Sequence, residues 1–524
     1  MPAVPDWLEL RSADSPVIVV APHGGLRARP IRRSDGINDL HTAEVAMQIA
    51  NRLDVHALVN HGCDRNDIDL NRIRQLVAKA PFFLAALRGC VDEIVARGQR
   101  PLVLLVHGWN MAVPWCDVGV GIRARGDGLY GRYPTLGRDR YDSFVRPLAR
   151  RLFDVGLGAS IGLRYPAAGR DNATQLFSGR HAEHKHEDVS ALGTYGADER
   201  VDAVQLELGI PLRWPGWRRD AFVDALVASV EKEQLAHAAP TTTMSRADTW
   251  ALEPKPPRPE IEPDAGCSLQ AALDDGAGVF MGAEPTGPST MATRVCIALA
   301  DGSMLLFVGE GPWDGHAGRY EVAGYRWLAS GEADRPPTQV SMMLNGPLVH
   351  YHTHEAFVDL EKGLSGADLA EADIELRYEA QGETYGRLVG HARVGSFDRE
   401  IDVLAICQRG GRRASMPGDK LDVFLTGEAD EPARVVELRG DDANAPSVCF
   451  SQPEANAFGR VDVSHGGESL LEAETPVRVP VYRLLPDGRV VCVTFGTVLA
   501  VPTGTVGVYE RVEISDPPAP VGED

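Results

Sequence analysis

Short apolar runs alternate with amphipathic stretches through the first half of the chain. Val17-Ile-Val-Val-Ala21 is a run of β-branched residues closed by alanine, which predicts a buried strand. Thr42–Leu53 places Val45, Ile49, Ala50 and Leu53 at helical spacing, and Leu76–Arg97 predicts a longer amphipathic helix. Pro101–His107 is almost continuously apolar, as expected of a central strand covered on both faces. Tyr141–Gly156 and Asp220–Gln234 read as helices, Ala159–Leu163 and Val204–Leu208 as strands. This alternation predicts a three-layer α/β/α domain with a mostly parallel sheet over residues 1–236. Ligands of such sheets bind at the carboxyl ends of strands, where His23 and His107 fall.

The texture changes near residue 237. Residues 237–266 contain Glu253-Pro-Lys-Pro-Pro-Arg-Pro-Glu-Ile-Glu-Pro263, a proline-rich linker. Beyond it, Asp301-Gly302 and Asp487-Gly488 separate runs such as Met304–Val308 and Val490–Phe495. Gly390–Val394 and Ile401–Ile406 continue the pattern, with a short helix at Leu364–Ala370. Residues 267–513 are therefore expected to form antiparallel sheet that can close into two barrels, and 514–524 an acidic disordered tail.

A net charge of −21 over 524 residues sets most of the surface against nucleic acid and leaves an anionic substrate dependent on local arginines. The amino-terminal residues lack a basic and apolar leader, and no apolar run approaches the ~18 residues of a membrane span. The eight cysteines are scattered and form no Cys-x-x-Cys pair, as in reduced thiols of a cytoplasmic protein. The expectation is a cytoplasmic protein with neither nucleic-acid nor membrane partners, and the sequence specifies no oligomeric state.

Candidate chemistry concentrates in the first half. A catalytic zinc takes about three His, Glu or Asp ligands and keeps one position open for water. His23 in Pro22-His-Gly-Gly25, Glu44 in the first turn of a helix, and His107 in Val106-His-Gly108 form the proposed set. Taken singly, strand-end histidines are commonly structural, and Glu44 alone is a helix-dipole residue. His41 and His61 compete as ligands, His41 reading first as a solvent-facing residue and His61 lying near a loop. Asp69-Leu-Asn-Arg72 offers Asn71 and Arg72 to a substrate carboxylate, or Asp69 as a helix cap. Glu207 is placed for general-base work, with ordinary strand surface as the plain reading. Asp117-Val-Gly-Val-Gly-Ile-Arg123 delivers Arg123, which can polarise a carbonyl or bind a carboxylate. His181-Ala-Glu-His-Lys-His186 reads as a solvated loop.

Five of these motifs, in order, make residues 15–235 resemble the N-formylglutamate amidohydrolase family and its poly-γ-glutamate hydrolase relatives. They are Pro22-His-Gly-Gly25, Asp69-Leu-Asn-Arg72, Val106-His-Gly108, Asp117–Arg123 and Val204-Gln-Leu-Glu207. The resemblance implies a phosphorylase/hydrolase-like fold, one zinc on His23, Glu44 and His107, and Glu207 as base. The function it implies is metal-assisted hydrolysis of an amide in an N-acyl amino acid or a related carboxylate-bearing substrate. Two stretches depart from the family pattern: Arg164–Asp202, rich in His and Arg, and Leu208-Gly-Ile-Pro-Leu-Arg213 after the glutamate.

In the second half, Gly390–Val394, Ile401–Ile406 and the Trp327 region resemble tandem lipocalin-like domains of the hydroxyneurosporene synthase and AttH type, which implies an apolar ligand. His350, His352 and His354 share one strand face and could hold a metal. The alternatives to a zinc amidohydrolase are a sensory binding protein with a degenerate hydrolase half and a lipocalin-like enzyme acting on an apolar ligand.

Overall fold

A computed structural model describes residues 4–27, 36–125, 128–234, 250, 266–287, 290–313, 318–322, 324–331, 335–353, 360–382 and 384–409, and strands within 418–515. The chain divides into two compact units, Met1–Arg258 and Pro259–Asp524.

Unit 1 is built on a seven-stranded mixed sheet. Its strands are β1 (Leu8–Arg11), β2 (Val17–Ala21), β3 (His56–Asn60), β4 (Leu102–Trp109), β5 (Trp115–Gly119), β8 (Gly158–Ile161) and β9 (Asp202–Gly209), in the order β1-β3-β2-β4-β9-β5-β8. β3, β2, β4 and β9 run parallel, and β5 with β8 runs the other way. A separate ribbon pairs β6 (Ile122–Arg125) with β7 (Gly128–Gly131).

The alternation of side chains along β2 explains the layers. Val17, Val19 and Ala21 face one core, shared with Ile49 of α1 (Thr42–Leu53), Leu148 of α5 (Arg146–Asp154) and Phe222 of α7 (Trp217–Gln234). Ile18 and Val20 face the other, with Leu76 of α2 (Ile73–Lys79), Leu84 of α3 (Pro81–Ala96) and Leu192 of α6 (Glu187–Ala197). A sheet buried on both faces needs the continuous apolar runs seen in β2 and β4.

Three expectations for unit 1 elements change in detail. The helix expected at Leu76–Arg97 is two helices, α2 and α3, because Pro81 removes an amide and disfavours helical geometry at Ala80. The helix expected at Tyr141–Gly156 starts with a one-turn α4 (Arg138–Arg140) and a π-helical turn, Tyr141–Val145. The third concerns Trp250, inside the stretch read as linker. It is fully buried, its Nε1–H donates to the Leu136 carbonyl (3.0 Å), and its ring meets Tyr141 edge-on.

Unit 2 begins with a closed eight-stranded antiparallel barrel. The ring is β10 (Cys267–Ala272), β11 (Gly278–Gly287), β12 (Thr290–Ala298), β13 (Met304–Pro312), β16 (Gln339–Tyr351), β17 (Asp368–Ala380), β18 (Tyr385–Val394) and β19 (Phe397–Arg409). β10 against β19 joins the first and last strands, and β13 against β16 completes the circle. The hairpin β14 (Arg319–Val322) and β15 (Tyr325–Ser330) extends from β16. Phe307, Tyr325, Trp327 and Leu376 are among the buried residues, and the Phe307 and Tyr325 rings stack at 5.5 Å. The helix expected at Leu364–Ala370 is instead α8 (Leu360–Ser365), because Gly366 follows it and the alternating Ile374, Leu376 and Tyr378 claim the next segment for β17.

A second antiparallel sheet of seven strands follows, between β20 (Gly418–Leu425) and β26 (Thr505–Ser515) in sequence. The acidic tail beyond 515, and His354, lie outside the described residues. His350 and His352 rings lie 4.7 Å apart, and His352 pairs with Asp368. Cys63, Cys90, Cys116, Cys267, Cys296 and Cys407 are free thiols. Among the described residues, no helix is long and apolar enough to cross a membrane.

Candidate metal centre

His23 stands two residues beyond β2, and His107 lies near the end of β4. Parallel neighbours place the two rings 4.9 Å apart, edge to face. The glycines after His23 are required by packing. A Cβ on Gly25 would lie 1.9 Å from the Cys63 carbonyl oxygen, and one on Gly24 would lie 2.6 Å from Ala43 Cβ.

The acid beside the two histidines is Asp39, not Glu44. Asp39 Oδ2 accepts from Nδ1 of His23 (3.2 Å) and Nδ1 of His107 (3.0 Å). Donor atoms of His23, Asp39 and His107 all lie within 4.8 Å of one another, and all three residues are buried. The divergence from expectation originates at His41. It caps α1 in a left-handed conformation (φ 66°), which turns the chain between Asp39 and the helix. Asp39 thereby meets His23 and His107 at the carboxyl ends of the central strands β2 and β4, while Glu44 is left 55% exposed and paired with His41. Thr42 Oγ1 donates to the Asp39 carbonyl and holds this turn (2.6 Å). His61 pairs with Glu9, away from the cluster.

Asp69 and Arg65 contact this group from outside. His23 Nε2 donates to Asp69 Oδ1 (2.7 Å), so both ring nitrogens of His23 face carboxylates. Arg65 spans the same acids, 3.4 Å from Asp39 Oδ1 and 3.8 Å from Asp69 Oδ2. Burial and Arg65 push the His23 pKa down, but Asp39 and the bonds to both acids outweigh them and raise it. Burial opposes ionisation of Asp39 and Asp69, yet the facing histidines hold both well below the usual carboxylate range. His107 titrates low because burial dominates.

This donor set fits a divalent cation. Without one, a single oxygen, Asp39 Oδ2, serves two imidazoles, and His107 Nε2 is buried with no hydrogen-bond partner. Two imidazoles and a carboxylate are a zinc-type set, and His23 donating its other nitrogen to Asp69 is the usual support for a metal-bound histidine.

Glu207 lies on β9 in register with His107 on one side and Asp117 of β5 on the other. It is buried, and burial with the charges of Asp39 and Asp117 raises its pKa well above the carboxylate range. Gln205 Nε2 donates to Glu207 Oε1 (2.6 Å). Asn172 Nδ2 and Thr174 Oγ1 both donate to Gln205 Oε1, which fixes the amide so that its NH2 faces Glu207.

A cavity of about 260 Å³ opens beside the cluster, lined by Asp39, Arg65, Gly108, Trp109, Arg164 and Tyr165 among others. Asn71, Arg72 and Arg123 are not in its lining. Asn71 Oδ1 accepts from the Ala173 amide, Arg72 is half exposed beside Asp69, and Arg123 reaches the Leu163 carbonyl. Arg164 and Tyr165 are positioned by Asp117. This buried carboxylate accepts from Ser160 Oγ and from the amides of Leu163, Arg164 and Tyr165 at 2.7–2.9 Å. The Asp117 motif thus builds the cavity wall through residue 164 rather than through Arg123. His181 bonds the Arg170 carbonyl and takes no part in the cluster.

Asp39 and Arg65 carried no motif. The usable signal for Asp39 was an acid directly before a helix that starts close to a strand-end histidine.

No family model matches the sequence, and no curated protein matches it. Among solved structures, N-formylglutamate amidohydrolase from Ralstonia eutropha JMP134 aligns with 44% of this chain and 99% of its own length. The identity is 14% and the TM-score 0.31.

Proposed function

We propose that unit 1 is a zinc-dependent hydrolase that cleaves an amide bond in a small, carboxylate-bearing N-acyl amino acid. The observation that supports this most is the buried His23–Asp39–His107 group beside a buried acid and an arginine-lined cavity. In this reading His23, Asp39 and His107 hold the metal, and Asp69 orients His23. Zinc bound there supplies a Lewis acid and acidifies water at neutral pH. Glu207, kept neutral by burial and neighbouring acids in the metal-free protein, would ionise against a bound cation, take the proton of the attacking water on its carboxylate and return it to the leaving amine. Gln205 holds Glu207 in place. Arg65 and Arg164 receive the substrate carboxylate, and the Trp109 and Tyr165 rings, 5.9 Å apart, narrow the access of water.

The test is metal analysis coupled to turnover on a panel of N-acyl amino acids. Wild type is expected to bind one zinc. His23→Ala and Asp39→Asn should lose it, and Glu44→Gln should keep it. Glu207→Gln should retain zinc and lose on the order of 10²-fold or more in kcat, the usual share of a positioned base. A wild type that binds no metal, or an undiminished Glu207→Gln enzyme, would overturn the reading.

A further inference from the structure

Arg213 lies at the end of the departure Leu208-Gly-Ile-Pro-Leu-Arg213. The chain leaves β9 at Gly209, makes one 3₁₀ turn at Ile210–Leu212, and returns the guanidinium beneath the strand ends. The side chain is fully buried. Nη1 donates to the Leu40 carbonyl (2.7 Å), Nε to the Leu208 carbonyl (3.1 Å), and Nη2 to the Trp109 carbonyl (3.4 Å) and Asn110 Oδ1 (2.7 Å).

Those carbonyls are not scattered. Leu40 follows Asp39, Leu208 follows Glu207, and Trp109 stands two residues after His107. One planar cation therefore bonds the three backbone segments that present a ligand acid, a ligand histidine and the candidate base. Its rigid fork suits this task, since five N–H donors leave in fixed directions from one plane.

Gly108 gives an independent observation. A Cβ there would lie 2.5 Å from Arg213 Nη1 and 2.9 Å from Asp39 Cβ. The glycine after His107 is thus needed because the guanidinium and Asp39 fill the space its side chain would take. Charge points the same way. Burial lowers the Arg213 pKa to about 10, and Asp39 and Glu207 are the charges that support the cation.

We infer that Arg213 is the positioning residue of the metal centre: from behind the histidines it fixes Asp39, His107 and Glu207 relative to one another and sets a buried positive charge against the two acids. It touches neither metal nor substrate. This rests on the metal-hydrolase reading above, and it assigns to the divergent stretch after Glu207 the task of holding the site together.

The test uses Co2+ alone as the probe, in the full chain, because its visible absorption bands report ligand geometry. Wild type is expected to bind Co2+ with defined bands. Arg213→Met should bind it at least about tenfold more weakly, the range for loss of a residue that orients metal ligands, and with shifted bands. Arg213→Lys keeps the charge but not the fork, and should recover part of the affinity while its bands stay shifted. Should Arg213→Met fail to fold, Asn110→Ala, which removes one guanidinium partner and leaves the arginine, should shift the bands in the same direction. Wild-type bands and affinity in a folded Arg213→Met protein would overturn the inference while leaving the hydrolase reading intact. So would unshifted bands in Asn110→Ala where Arg213→Met does not fold. A wild type that takes up no Co2+ would instead overturn the hydrolase reading, and Arg213 would lose its assigned task with it.

Discussion

Glu207 is an acid enclosed with two others, Asp39 and Asp117, and among the described residues only the Gln205 amide bonds its carboxyl directly. Its raised pKa has a stability consequence in the metal-free protein. Between the unfolded value, about 4.3, and the folded one, the native state binds more protons than the unfolded state, so this group lowers stability as pH rises. Glu207→Gln removes that penalty and keeps the shape. The metal-free variant is expected to melt higher than wild type at pH 7, by at least about 2 °C for each kcal/mol recovered. The two should converge as pH falls toward 4, and thermal melts across that range measure it. At this scale the sequence shows part of the site. His23 and His107 are legible because an apolar run ending in His-Gly has few local explanations. Asp39 is not, because its placement depends on one left-handed residue, His41, and non-glycine residues enter that region without a sequence signal. Arg65 and Arg213 are illegible for a different reason. The Arg213 partners lie far away in sequence, with Leu40 and Arg213 being 173 residues apart, and Arg65 depends on Asp39 being turned toward it from 26 residues upstream.

Among the elements, the loop after β8 depends most on a single group. Asp117 collects four donors, three of them successive backbone amides, and thereby sets Arg164 and Tyr165 against the cavity. Asp117→Asn replaces one acceptor oxygen with a donor facing those amides. The expected cost is about 2–3 kcal/mol, read as a lower urea midpoint for unit 1, since buried bonds to a charge are lost and a donor is left unsatisfied. If Arg164 receives the substrate, KM should rise more than kcat falls. Elements were the most legible level of this chain. β2, α1 and β4 follow directly from period and burial. The break at Ala80 was written in Pro81, whereas the π-helical turn at Tyr141–Val145 has no pattern of its own.

The whole chain separates its charges. Residues 1–258 carry 33 Lys and Arg against 31 Asp and Glu, and residues 259–524 carry 20 against 43. The acid surplus therefore belongs to unit 2, and the candidate site lies in a nearly neutral unit able to receive an anion. Two units with separate cores are expected to give two calorimetric transitions. Zinc at a hundredfold excess over Kd should add about 2.7 kcal/mol to one of them alone. Trp250→Ala should lower that same transition, since emptying a buried tryptophan site costs about 3–5 kcal/mol. A shift of both transitions by zinc would place metal in the barrel unit as well. The barrel itself has one short clasp. β13 meets β16 only at Met304–Leu306 against Val349–Tyr351, whereas every other junction of the ring is zipped over a longer stretch. Local opening begins where the fewest main-chain bonds must part. Amide deuterium exchange should therefore reach those six residues before it reaches the middle of β17, and any guest bound for the lumen would find its doorway at that seam.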